Sequence, residues 1–195
     1  PTKRKSFYPQ KQVSGQERQE KLKSVPIQNI GPEYLLVDGY NIIFAWEDLK
    51  KIAQENLDAA RQLLMDLLCN YQGFKKCVVI LVFDAYKVPR NMGEVVSYHN
   101  IHVVYTKEAE TADAYIEKAT YKITKNHRVR VATSDSTIQL IILGHGALRI
   151  SAKSFREEID SVNQQISSIL KNYNQKEKSD VMEKAMLEAQ KKNTR

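Results

Sequence analysis

From Tyr34 onward, two hydrophobic periodicities alternate along the chain. Short, nearly continuous apolar runs are typical of strands buried on both faces of a sheet. They are separated by longer segments in which apolar residues recur every three or four positions, as on one face of a helix. The predicted strands are Tyr34–Asp38, 77–83, Ile101–Tyr105, Val129–Ala132 and a short one at Leu148–Ile150. This alternation predicts an α/β fold with a mainly parallel sheet.

Helices are predicted between and after these strands. One begins after Asn56, a good capping residue, a second begins near Thr111, and a short third covers about 136–143. A fourth is predicted from Ser154, because Ser154 and Glu157 have the spacing of a capping box. The apolar residues expected on its buried face are Phe155, Ile159, Val162, Ile166 and Ile169.

The two ends of the chain have a different composition from this alternating part. Residues 1–33 lack hydrophobic periodicity and are rich in Lys, Gln, Ser and Pro, which predicts a basic flexible linker or tail. Residues 34–171 form the predicted globular domain, and 172–195 a charged, partly helical C-terminal tail. Because the chain starts at Pro1, we expect a processed chain or a piece of a longer polypeptide.

Charge is distributed unevenly and bears on the partner. The formal net charge is +7, and residues 1–33 carry seven Lys or Arg and three Glu. Such a basic flank suits an acidic partner such as RNA, and equally suits a solvated linker that aids solubility. The sequence has no signal peptide and no apolar stretch long enough for a membrane span. Cys69 and Cys77 form neither a disulfide framework nor a zinc pattern, which favours a cytoplasmic setting.

Four acidic residues lie where the predicted strands end or the following helix begins. Asp38, Asp84 and Asp135 follow three of the apolar runs, and Asp113 begins the helix after a fourth. In an open parallel sheet, the carboxyl ends of the strands share one edge, where ligands bind. Carboxylates that converge there repel one another, and a divalent cation such as Mg²⁺ or Mn²⁺ relieves this repulsion. The pattern indicates a metal-dependent site for a phosphate-bearing substrate.

Each of these acids alone has a simpler interpretation. Asp38 and Asp135 can cap a turn or a helix, and Asp113 can interact with a helix dipole. Asp84 can be solvated at a strand end. Two observations favour chemistry: Asn41 adds an oxygen donor three residues after Asp38, and all four acids fall on the same predicted edge.

Other site types find less support. The chain has no glycine-rich phosphate loop, and its four histidines are scattered without zinc spacing or an obvious triad. A haloacid-dehalogenase phosphatase needs a second Asp two residues after the first, and Tyr40 occupies that position. A small-molecule phosphohydrolase is therefore the weakest of the hypotheses.

Six short segments stand out along the chain: LLVDGYN (35–41), VFDA (82–85), YTKE (105–108), ETAD (110–113), ATSD (132–135) and GALR (146–149). Together they resemble the YacP-like NYN domain family of the PIN-like nuclease superfamily. The resemblance covers about residues 34–170, in the expected order and spacing, and leaves out both tails.

The resemblance implies a PIN-like three-layer sandwich and an acidic pocket that binds Mg²⁺ or Mn²⁺. It implies endoribonuclease activity, and some members resemble ribosome-associated cleavers of messenger RNA. Asp38, Asp84, Asp113 and Asp135 are then the catalytic and metal-binding residues. The side chains expected around them, for water, phosphate or substrate contacts, are Asn41, Lys107, Glu110, Thr111, Ser134 and Arg149.

The resemblance also bears on the origin of the chain and on an alternative function. Similar domains resemble C-terminal appendages of translation-factor GTPases of the ribosomal-protection type, and the missing Met and basic linker fit an excised domain of that kind. The alternative function is a non-catalytic RNA- or ribosome-binding module whose pocket is vestigial, although the intact acidic set argues against it. The sequence does not determine the oligomeric state.

Overall fold

A six-stranded, mostly parallel sheet forms the centre of the fold. The computed structural model describes residues 31–84, 93–107, 109–135 and 139–193, with no side chains at 139–140 or 177–193. The strand order is β3-β4-β2-β1-β5-β6, and every neighbouring pair is parallel except β3 and β4. The strands are β1 Tyr34–Asp38, β2 Val78–Phe83, β3 Val95–Tyr98, β4 Ile101–Tyr105, β5 Val129–Ala132 and β6 Leu148–Ile150.

Helices cover both faces of the sheet. The sequence predictions of a helix after Asn56 and another near Thr111 are confirmed. Asn56 accepts a hydrogen bond from the Ala59 N–H at 3.0 Å, and Thr111 accepts one from Ala114 at 3.2 Å. The helices are α1 Gly39–Ala45, α2 Glu47–Glu55, α3 Leu57–Lys75, α4 Ala112–Ile123, α5 Gln139–Gly144 and α6 Ala152–Asn193.

The core is divided into two layers by the alternation of side chains along the strands. In β1, Leu35 and Val37 pack into one cluster with α1, α3 and α6, whereas Leu36 packs into the other with α4 and α5. Both clusters are fully buried at their centres, as Phe155 in the first and Ile116 in the second show. The predicted α/β sandwich with a mainly parallel central sheet is therefore confirmed.

Three elements escaped the sequence analysis: helix α1, strand β3 and helix α2. Strand β3 pairs antiparallel with β4 at the edge of the sheet, and its residues are mostly exposed, so it lacks the buried run that marks the other strands. Helix α2 buries only Leu49, because its sequence is mostly polar. The sequence also predicts a loop with Pro89, Asn91 and Gly93 after β2, and of these three residues only Gly93 lies within the described ranges.

Helix α6 begins earlier than the capping-box pattern indicated. The Ser151 hydroxyl accepts the Ser154 N–H at 3.1 Å and the helix starts at Ala152, so the assignment of Ser154 as the cap was wrong. Ile169 was also misassigned to the buried face, because it is 58% exposed. The packed part of the helix ends about one turn earlier, at Ile166. Within the described ranges, no helix is long and apolar enough to span a membrane.

A polar network joins α3, α6 and β5 near the amino ends of the strands. Arg130 of β5 donates to Glu158 of α6 at 3.1 Å and to the Tyr71 hydroxyl at 2.6 Å, and it pairs with Glu33 just before β1. Lys75 of α3 completes the network through Glu158, at 3.1 Å. These contacts fix α3 and α6 against the sheet.

Candidate active site

Asp38 lies at the junction of β1 and α1, because the helix begins at the residue after the strand ends. Its Oδ1 accepts the Asn41 N–H at 3.1 Å and so caps α1. Only 6% of the residue is exposed. The capping interpretation of Asp38 is therefore correct, and it places a carboxylate in the middle of the sheet edge.

Asp84 follows β2, the strand next to β1, and is the second acid at this edge of the sheet. Its Oδ1 accepts the Ala112 N–H at 2.6 Å, at the first residue of α4. This bond holds the start of α4 over the end of β2. Asp113 is the next residue of α4, so its carboxylate comes close to that of Asp38.

The carboxylates share one cavity at the carboxyl edge of the sheet, with a volume of about 470 Å³. Asp135 is not among the lining residues, but its charge acts on both Asp38 and Asp113. Three of the four aspartates that the sequence analysis selected thus line the cavity, and the fourth lies near enough for its charge to act on two of them. The lining residues are Asp38, Tyr40, Asn41, Phe44, Ala45, Asp84, Thr111, Ala112, Asp113 and Ser134.

Burial and mutual repulsion change the protonation of these acids. Burial, followed by the charges of Asp113, Asp84 and Asp135, raises the pKa of Asp38 to about 7, although the Asn41 N–H opposes the shift. Burial and the charges of Asp135 and Asp84 also raise the pKa of Asp113, against a hydrogen bond with Asp38. At neutral pH without a cation, the cavity therefore retains protons that isolated carboxylates would lose.

The cavity suits a divalent cation that keeps some of its water ligands better than one bound by protein side chains alone. Among the residues that the structure describes, no three His, Cys, Asp or Glu side chains are grouped to hold an ion by themselves. Mg²⁺, however, keeps several waters and is usually bound through one or two carboxylates. Oxygen-bearing side chains line the space, and the buried Oδ1 of Asp113 has no hydrogen-bond partner within the described part of the chain.

Asn41 links the segment that holds Asp38 to the loop that holds Asp135. Its Oδ1 accepts the Ser134 N–H at 2.8 Å and also the Ser134 hydroxyl. Since Asn41 belongs to α1 and Ser134 precedes Asp135 in the loop after β5, this contact holds the Asp135 loop against the Asp38 segment. Asn41 and Ser134 both line the cavity, as does Thr111, whose hydroxyl caps α4.

We expect Asn41→Ala to loosen the Asp135 loop. The variant removes the acceptor of the Ser134 N–H and should cost about 1 kcal/mol of stability. Amide hydrogen exchange at Ser134 should accelerate by roughly fivefold or more. Asn70→Ala, an exposed asparagine of α3, is the matched control and should leave that exchange unchanged. Unaltered protection of Ser134 in Asn41→Ala would contradict the linking role.

Three of the other expected residues lie outside the cavity lining. Arg149 of β6 donates to the Ser134 carbonyl at 3.4 Å and lines an adjoining groove. Glu110 pairs with Lys118 at 3.1 Å, and Lys107 is exposed beside Gly93. The structure therefore places Arg149 in the groove beside the cavity, and does not bring Glu110 or Lys107 into the cavity lining.

Comparison with known proteins agrees with this geometry. The model of the YacP-like NYN domain matches residues 35–195. The chain belongs to the YacP-like NYN domain family. The YacP protein of Bacillus subtilis (strain 168) is 39% identical over 135 residues, which are 69% of this chain and 79% of that protein.

Solved structures show the same relationship. The crystal structure of Rae1 (YacP) from Bacillus subtilis has a TM-score of 0.66 at 35% identity, covering 75% of this NYN chain and 84% of that one. A variant of the same protein gives a TM-score of 0.64 at 37% identity, covering 72% and 82%. NYN domains are PIN-like nucleases, which generally use divalent metal ions, and the family implies RNA as the substrate.

Sequence reasoning missed Tyr40 and Phe44 of this NYN cavity. Both lie on α1, one helical turn apart, and the helix was not predicted because its apolar residues resemble a buried run. The Tyr40 hydroxyl accepts a hydrogen bond at 2.8 Å from Arg61, a buried cation that also pairs with Asp58. The signal that could have revealed them is the strand-to-helix junction at Asp38, which points positions 40, 41, 44 and 45 toward the cavity.

Gly39 of the NYN domain serves packing rather than a tight turn. It is the first residue of α1, without the positive φ that would require glycine. A Cβ at this position would collide with Cδ1 and Cε1 of the Phe83 ring, which is fully buried at the end of β2. The absence of a side chain thus lets α1 start directly against β2.

Proposed function

We propose that the chain is a metal-dependent endoribonuclease that hydrolyses phosphodiester bonds of RNA with Mg²⁺ or Mn²⁺. The observation that carries the proposal is the clustering of four aspartates from distant chain segments at one sheet edge. Burial, together with their mutual repulsion, raises the pKa of Asp38 to about 7. Such a cluster is costly without a cation, so it favours metal binding over a structural role.

Asp38, Asp84, Asp113 and Asp135 would hold the metal, directly or through waters. A bound divalent ion lowers the pKa of a water molecule and stabilises negative charge on a phosphate. The surrounding residues keep the carboxylates in position: Ala112 N–H holds Asp84, and Asn41 holds the loop of Asp135. Thr111, Ser134 and Asn41 contact waters or phosphate oxygens, and Arg149 offsets phosphate charge.

A polymeric substrate suits the shape of the site. The cavity adjoins a groove of about 910 Å³, and Ala45 and Ser134 line both. A chain can therefore extend beyond the carboxylates. We extend the proposal to messenger RNA in a ribosome context in the cytoplasm, supported by the basic residues 1–33 and by the family.

The test incubates the purified chain with structured and unstructured RNA labelled at one end, in Mg²⁺, Mn²⁺ or EDTA. We expect internal cleavage with either metal and none in EDTA, with recovery when Mg²⁺ is added in excess. A parallel preparation of Asp38→Asn reports contaminating ribonucleases. RNA binding without cleavage under every metal condition would instead support the non-catalytic binding module.

We expect removal of residues 1–30 to weaken RNA binding without altering the chemistry. The deletion stops before Glu33, because Glu33 pairs with Arg130 and its carbonyl accepts the Val78 N–H at 2.9 Å. Residues 1–30 carry seven Lys or Arg and two Glu. If they contact phosphates, affinity falls and its salt dependence becomes flatter, whereas cleavage at saturating RNA persists.

The comparison of salt slopes decides this point. An unchanged slope in the shortened chain would mean that the segment is a linker only. Loss of cleavage at saturating RNA, with the same unfolding transition, would mean that the nuclease domain begins before residue 31.

A further inference from the structure

Phe44 is the exception in an otherwise buried apolar run. In residues 42–46, Ile42 and Ile43 are fully buried and Trp46 is 4% exposed, whereas Phe44 is 44% exposed. Single exposed apolar side chains are common on protein surfaces and need no explanation by themselves. Phe44 differs because its ring lines the cavity that holds Asp38, Asp84 and Asp113. An aromatic ring in this lining can contact a ligand that enters the cavity.

The ring is also supported from behind. It lies nearly parallel to the Tyr40 ring, with an interplanar angle of 24° and 6.3 Å between centroids. Tyr40 is itself fixed, because Arg61 donates to its hydroxyl and its ring packs against Phe83 at 5.1 Å. The Phe44 ring therefore belongs to an aromatic group with Tyr40 and Phe83, and Phe44 and Tyr40 both line the cavity.

Basic side chains continue from this ring into the adjoining groove. Ala45, the residue after Phe44, lines both the cavity and the groove, and the groove is also lined by Arg149 and Lys153. Arg156, a further cation of the groove, pairs with Asp48 and Asp160. Lys153 is exposed and, in the described ranges, takes part in no salt bridge.

We propose that Phe44 and this groove bind an unpaired segment of RNA, with one base stacked on Phe44 and the adjoining phosphates held by Arg149 and Lys153. The proposal rests on the proposed function and assigns Phe44, Arg149 and Lys153 as the residues that hold unpaired RNA at this site. Aromatic rings bind bases of any identity by stacking, and basic grooves follow the backbone. A base inside a duplex is stacked on its neighbours and paired, so it cannot offer its face to Phe44.

The first test measures binding without chemistry, in EDTA, to an unstructured 12-nucleotide RNA and to a duplex of the same sequence. We expect the wild type to prefer the single strand. Phe44→Leu keeps the apolar bulk but removes the ring, and should weaken single-strand binding by about 5- to 150-fold. Phe44→Trp should retain it. Tyr121→Leu is the matched control, because Tyr121 is 55% exposed and lies outside both cavities.

The second test separates stacking from charge. The double variant Arg149→Gln, Lys153→Gln should lower the slope of log K against log salt by about 1.4, since each phosphate contact on a single strand contributes about 0.7. Phe44→Leu should leave the slope unchanged. The control pair Lys122→Gln and Lys171→Gln, two exposed lysines that line neither cavity, should leave both slope and affinity close to wild type.

The outcomes distinguish this proposal from the proposed function. Wild-type affinity in a folded Phe44→Leu variant, or equal wild-type binding to duplex and single strand, overturns the single-strand proposal even if cleavage is observed. A different outcome is a wild type that binds unpaired RNA in a Phe44-dependent way and never cleaves it. That result supports RNA binding by Phe44 and the groove, and overturns the nuclease function.

Discussion

Replacing Asp38 with asparagine is expected to abolish RNA cleavage while stabilising the metal-free protein. Asparagine keeps an oxygen that can accept the Asn41 N–H and cap α1, so the fold is preserved. It removes a negative charge from the centre of the proposed metal site, and we expect cleavage to fall by at least ~100-fold. Cleavage assays in Mg²⁺ measure this loss. Asp66→Asn, at an exposed position of α3, is the matched control.

The stability effect of this variant depends on pH in a defined direction. The pKa of Asp38 is about 7 in the folded chain and 3.8 in the ordinary, unfolded state. The folded state therefore binds more protons between these values, and wild-type stability falls as pH rises from about 4 to about 7. The full penalty above pH 7 is on the order of 4 kcal/mol as an upper limit. The variant lacks this penalty.

Thermal unfolding in EDTA at pH 5 and pH 8 measures the difference. Asp38→Asn should unfold above the wild-type temperature at both pH values, by only a little at pH 5 and by several degrees more at pH 8, at roughly 2–4 °C per kcal/mol. A variant that cleaves RNA at the wild-type rate would exclude Asp38 as a metal ligand. A stability difference that does not depend on pH would contradict the raised pKa.

Gly39→Ala is expected to produce the largest loss of stability among single methyl additions. The new Cβ collides with the buried Phe83 ring, which packs between Tyr40 at 5.1 Å and Tyr105 at 5.8 Å and has no free space to move into. Overpacking of this kind costs ~1–3 kcal/mol. Chemical denaturation measures the free energy of unfolding.

A second glycine provides the matched control. At Gly73 in α3, the nearest atom to an added Cβ is Asn100 Nδ2 at 3.8 Å, so Gly73→Ala should be stabilising by about 0.5–1 kcal/mol. Adding Phe83→Leu to Gly39→Ala should recover part of the loss, because leucine vacates the ring volume. If Gly39→Ala is as stable as wild type, the close packing of α1 on β2 is wrong.

The sheet edge could be predicted from sequence because its signals are local. Each of Asp38, Asp84 and Asp135 follows an apolar run, and the position of the acid within the fold follows from the parallel topology. Strand β3 and helix α2 could not be predicted in the same way, since both bury too few residues to produce a pattern.

The contacts that assemble the site join residues far apart in the sequence, so they produce no recognisable sequence pattern. Asp84 binds the N–H of a residue 28 positions away, and Asn41 binds Ser134 across 93 positions. Such pairs depend on the strand order, which places β2 and β5 on either side of β1. Phe44 was missed for a different reason: its exposure depends on the direction in which α1 leaves the sheet, and the apolar run hides that direction.

The position of the network of Arg130, Glu158 and Tyr71 determines where substitutions can raise the stability of this protein without affecting the acidic cavity. It lies toward the amino ends of the strands, whereas the aspartates lie beyond the carboxyl ends, about 13 Å away for a five-residue strand. At that distance, across an aqueous surface, charges interact weakly. Thermostability can therefore be engineered at one end of the sheet while the acidic cluster at the other end, which lowers stability, is left intact. Because the two sites are separated, the usual trade-off between stability and activity is weaker in this protein.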